Sequence, residues 1–75
     1  MIKIKSERKW VLTGRGDVYV VQLKENNLPL LRKEWGRLLM NQKVEIDGNV
    51  LIVRAIEAFA LADGCEHQSI GLLVK

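Results

Sequence analysis

Cys65 and His67 stand two residues apart, with Asp63 and Glu66 beside them. A thiolate next to an imidazole is the starting material of nucleophilic catalysis. This spacing supplies no third group to orient the pair. One cysteine and one histidine also fall short of the four ligands that a structural zinc site takes. The segment reads as an ordinary loop, and the chain is expected to be no enzyme and to carry neither metal nor cofactor. Arg15-Gly16-Asp17 spells an adhesion tripeptide, but it lies between two strand-like runs and beside Gly14. There it reads as a turn, with Arg15 shaping the bend or touching a partner and Asp17 bonding to turn backbone. Glu57, between Ile56 and Ala58 in a strand-like run, faces away from Ile56 and reads as a solvent-facing carboxylate.

The aromatic residues make a second pattern. Trp10, Tyr19 and Trp35 have Arg8, Lys9, Arg15, Arg32, Lys33 and Arg37 near them in sequence. Flat rings among cations form a platform on which nucleic-acid bases stack while phosphates are neutralised. The competing reading is that tryptophans supply buried area in a small core. Of the two tryptophans, Trp35 is the one expected at the surface. Leu28, Leu30, Leu31 and Trp35 form an apolar cluster that serves either as a cap on the core or as a protein-binding patch.

These residues must be positioned by a chain of 75 residues, 48% hydrophobic and 28% charged, which is the balance of one small globular domain. A chain of that size buries only about 60% of the surface its unfolded form exposes. Net charge is +3 and unevenly spread: residues 1–24 carry a net +4, whereas residues 44–75 carry a net −3. Basic stretches of this kind steer acidic partners or phosphates. No apolar run reaches membrane-spanning length. The N-terminus alternates apolar and charged residues, unlike a signal peptide, so a cytoplasmic location is expected.

Ile2, Ile4, Trp10 and Leu12 fall at even positions and predict a half-buried strand. Val18–Leu23 is rich in β-formers and predicts another. Asn27, Pro29, Leu31, Trp35 and Gly36 predict one or two helical turns over residues 28–36, capped by Asn27 and stopped by Gly36. Gln42–Ile46, an Asp47-Gly48 hairpin turn and a long strand from Val50, bent near Ala55, follow. Ser69–Val74 is the last strand. The expected fold is mainly all-β: a small antiparallel β-barrel with one short helical or loop insertion.

Four blocks resemble the second domain of translation GTPases of the elongation factor Tu type. Gly14-Arg15-Gly16-Asp17-Val18-Tyr19-Val20 resembles that family's Gly-Arg-Gly-Thr-Val-Val. The run from Gly36 to Gly48 is similar to its Gly-x-Ile-x-x-Gly-x-x-Val-Glu-Ile-x-Gly, with Asn41 at a glycine position. Val53–Phe59 resembles its segment ending Val-Glu-Met-Phe, and Ile70–Val74 its Val-Gly-Leu-Leu-Leu. Residues 26–35 read as an insertion, and there is no phosphate-binding Gly-x-x-x-x-Gly-Lys-Ser/Thr loop. The resemblance implies a docking barrel without a GTPase domain. It also implies an open edge at the strand holding Leu72 and Leu73, to be covered by the N-terminal strand or by a second copy of the chain.

The function expected from this is a non-catalytic module that binds a protein partner. The partner-binding residues would be Arg15, Arg32, Lys33, Trp35 and Arg37. The alternative is RNA binding through the basic N-terminal half. No membrane contact is expected, and pairing of two copies through the open edge is a further expectation.

Overall fold

Asp47 and Gly48 both adopt left-handed backbone, with φ of 51° and 87°. This is the geometry a two-residue hairpin turn requires, and it joins β4 (Lys43–Ile46) to β5 (Asn49–Ala58). β1 (Ile2–Ile4), β2 (Arg8–Leu12) and β3 (Gly16–Gln22) precede them, and β6 (Ser69–Val74) ends the order. A 3₁₀ turn (Lys24–Asn26) and helix α1 (Arg32–Leu38) lie between β3 and β4. The computed structural model describes residues 1–12, 14, 16–58 and 69–74; the expectations for Arg15 and for the Cys65–His67 loop lie outside these.

The strands form one six-stranded sheet in the order β1-β4-β5-β6-β3-β2. The expected mainly-β class is what the chain adopts. The sheet is mixed rather than antiparallel throughout, because β1 runs parallel to β4. The hydrogen-bonded order ends at β1 and β2. β5 is shared between both halves of the sheet. Its first residues pair with β4, and its later ones pair with β6. An irregularity between Val53 and Ala55 separates the two stretches, close to the bend expected from sequence. Ile4, Val44 and Ile46 from one half and Tyr19, Val21, Ile70, Leu72 and Val74 from the other then enter one core.

Three expectations are corrected. Ile2–Ile4 and Arg8–Leu12 belong to different strands at opposite ends of the sheet. The even spacing of their apolar residues therefore does not describe one face. The last strand is no edge: β6 lies between β5 and β3, and the ends of the sheet are β1 and β2. Thirdly, the helix starts later and runs through Gly36. Asn27, at φ 55°, closes the 3₁₀ turn instead of capping α1. A mid-helix glycine costs about 1 kcal/mol. Burial of Trp35 and Leu39, four residues apart on one side of the helix, outweighs that cost. The chain reverses at Asn41, with φ 60°. Asn41 then donates to Val53 (2.9 Å), and the Val53 amide donates to Gln42 (3.1 Å), which joins the end of α1 to the bend in β5.

Candidate functional site

Helix α1 is held from within. Trp35 is only 3% exposed, and its indole Nε1–H donates to the Pro29 carbonyl at 2.9 Å. That bond ties the segment before the helix onto the helix itself. Leu28 and Leu39 are buried in the same cluster, with Leu23 beneath. The expectation of a surface-exposed Trp35 is thus overturned. The indole is an anchor and does not present a contact face. Its large apolar area and its single donor are both satisfied inside, as a buried tryptophan requires.

The rest of the leucine cluster faces outward. Leu30 and Leu31 are 58% and 56% exposed, and Leu38 is 36% exposed. Leu38 ends α1, and Leu31 is the extended residue just before it, so the exposed leucines stand at the two ends of the helix. An open groove of ≈ 500 Å³ is lined by Asn27, Leu28, Pro29, Glu34, Arg37 and Leu38, so of the three exposed leucines Leu38 borders it. Lys33 and Arg37, one turn apart, are exposed, and neither has an acidic partner within 4.0 Å among the described residues. Arg32 begins the same helix. Arg32, Lys33, Trp35 and Arg37 thus all fall within α1, with Lys33 and Arg37 exposed and Trp35 turned into the core.

The aromatic–cation pattern of the N-terminal half resolves differently. Lys9 Nζ lies 3.2 Å from Asp17 Oδ2 and 5.5 Å from the Tyr19 ring centre. The hydrogen bond and the charge of Asp17 raise the Lys9 pKa. Asp17 thus pairs with a cross-strand lysine; the turn residues Thr13 and Arg15, near which it was expected to bond to backbone, lie outside the described residues. Arg8 sits 3.8 Å from Glu7 and 5.9 Å from the Trp10 ring centre. Trp10 is 44% exposed on the face opposite the core, across from Val18. Tyr19 is buried in the core. These rings do not share one surface. Glu57 is exposed, as its position predicts.

Asn26, and Asp47 in a role beyond the turn predicted for it, organise the N-terminal linker. The Asn26 side chain accepts from the Lys5 amide (2.7 Å) and donates to the carbonyls of Lys5 (3.1 Å) and Gln22 (2.9 Å). The Asp47 carboxylate accepts from the Ser6 amide (3.0 Å) and from the Ser6 hydroxyl. Those two donors, the hydroxyl foremost, hold the Asp47 carboxyl below its ordinary pKa. The partners lie 21 and 41 residues away in sequence, so no local motif announces them.

Among the described residues no group of three or more His, Cys, Asp or Glu side chains could hold a metal ion. Compared with known proteins, the chain matches no family model, no curated protein and no solved structure.

Proposed function

We propose that the chain is a non-catalytic module that docks a partner protein through the outer side of α1 and the groove beside it. One observation carries this reading. Leu30 and Leu31 just before α1, and Leu38 at its end, stay exposed near Lys33 and Arg37, which have no ion pair among the described residues, and buried Trp35 fixes that helix to the core. Scattered surface leucines are ordinary, whereas three at the ends of one short helix, with Leu38 lining a groove, mark an interaction surface. Rigid anchoring reduces the entropy lost on binding.

The resemblance to the translation-factor barrel supports the same class of role. In that frame the unpaired ends at β1 and β2 would form the open seam of a barrel. The RNA alternative is weaker. Tyr19 is buried while Trp10 is exposed, and Lys9 pairs with Asp17, so the basic half forms no shared aromatic–cation platform among the described residues. A partner in the cytoplasm fits this reading; no helix among the described residues is long and apolar enough to cross a membrane.

The test compares the tagged chain with its Leu31→Asp/Leu38→Asp variant in capture from RNase-treated host lysate. A protein retained by the first and lost from the second, with circular dichroism unchanged, supports docking. Equal capture by both, or capture that RNase removes, refutes it.

A further inference from the structure

We infer that two copies of the chain pair through β2, antiparallel about a two-fold axis at Trp10. β2 ends the hydrogen-bonded order, with β3 on one side and, among the described residues, no strand on the other. The register tells which of its backbone groups face out. The Glu7 amide donates to the Val20 carbonyl (2.7 Å), so the backbone groups of Val20 point toward β2. Backbone direction alternates along a strand, so Val20, Val18 and Gly16 all face their partners Arg8, Trp10 and Leu12. Lys9 and Val11 therefore carry their N–H and C=O groups on the outer side. The linker before β2 is different, because the Asn26 and Asp47 side chains bond the Lys5 amide, the Lys5 carbonyl and the Ser6 amide. The other end of the sheet, β1, is short and buries Ile4. β2 is exposed instead: Val11 is 74% exposed and Trp10 44%.

The order of residues along β2 selects a second copy as the occupant. Its cations, Arg8 and Lys9, come first, and its apolar residues, Val11 and Leu12, come last. Antiparallel pairing centred on Trp10 sets Lys9 opposite Val11 and Arg8 opposite Leu12, and the symmetry repeats both pairs. No cation then faces a cation, whereas a centre at Lys9 would set two lysines face to face. Every outward N–H and C=O of Lys9 and Val11 finds a partner in this register. Trp10 meets its own copy at a non-hydrogen-bonded position, where side chains approach most closely. Free charge commonly protects an exposed edge. Here Lys9 is held by Asp17 at 3.2 Å and Arg8 lies 3.8 Å from Glu7, so the charge on β2 is answered within its own chain. Five residues span about 17 Å, which gives an interface below about 1,200 Å² and a dissociation constant on the order of 10–100 µM. The pairing is independent of docking at α1, since β2 packs on β3 and α1 on β5.

Sedimentation equilibrium of the full chain from about 5 to about 500 µM reads the association, and the parent should pass from monomer to dimer across that range. Val11→Pro removes one outward donor, and proline is tolerated at an edge position whose N–H faces away from the sheet. That variant should keep its circular dichroism and dimerise about tenfold more weakly. Trp10→Glu and Trp10→Lys should each stay monomeric alone and associate when mixed, because residue 10 is the position that faces its own copy on the axis. This arm keeps the inference falsifiable should Val11→Pro fail to fold. A parent chain that stays monomeric throughout overturns the inference. So does a folded Val11→Pro that dimerises like the parent, or a mixture of the two Trp10 variants that associates no more than either alone.

Discussion

Replacing Trp35 by alanine removes the largest anchor of α1. The indole is 3% exposed and its N–H is bonded to Pro29. Truncating a buried tryptophan costs about 3–5 kcal/mol, through lost burial and the cavity left behind. A 75-residue domain has a total stability of roughly 4–11 kcal/mol. The variant therefore loses about a quarter or more of its margin, and Tm falls by more than about 12 °C. Trp35→Phe separates the two contributions. It retains most of the ring but leaves the Pro29 carbonyl without its donor, for about 1–3 kcal/mol. Urea unfolding followed by far-ultraviolet circular dichroism reads both variants without relying on tryptophan emission. Trp10→Ala, at a 44% exposed site, is the control and should cost less than half as much as Trp35→Ala. A Trp35→Ala protein within about 1 kcal/mol of the parent, or more stable than Trp10→Ala, would refute the anchoring role.

Gly48→Ala should cost about 1–2 kcal/mol through backbone conformation alone, because φ is +87° and a Cβ there would meet nothing within 4 Å; a thermal melt checks it. Asn41→Gly should be neutral or slightly stabilising while Asn41→Ala destabilises, since φ is 60°; the two Tm shifts should differ in sign or clearly in size. The folded pKa of Asp47 is lowered, so its carboxylate contributes stability that is fully present above the unfolded value of about 3.9 and is lost as pH falls through the folded value. Asp47→Asn keeps a residue suited to the left-handed turn. It should lower stability near pH 7 by the carboxylate's contribution and flatten the decline in urea midpoint between pH 5 and pH 2.

What the sequence made legible was local. The Asp47-Gly48 turn and the last strand, Ser69–Val74, follow from residue type, and both appear; Asn41, set at a glycine position by the resemblance, has φ 60°. The bend in β5 was also foreshadowed near Ala55. Strand neighbours were not legible, because pairing β1 with β4 joins residues about 40 apart. That distance is also why the Ser6–Asp47 and Lys5–Asn26 bonds escaped notice. The helix was shifted because Gly36 and Asn27 were weighed by propensity alone. Tertiary burial of Trp35 and Leu39 decided the boundary instead. For the site, Lys33 and Arg37 were found from composition, but the roles of the apolar residues were inverted. Trp35 looked like surface because it lay in an insertion, yet it is the anchor, and Leu30, Leu31 and Leu38 carry the exposure.

The most direct test of docking at α1 places a photo-reactive amino acid at Leu31 and, separately, at Val50, which is also exposed but lies at the start of β5. Both proteins are irradiated in RNase-treated host lysate. A protein adduct that forms at position 31 and not at position 50 is the predicted result. Adducts of equal yield at both positions, or none at position 31, would contradict it.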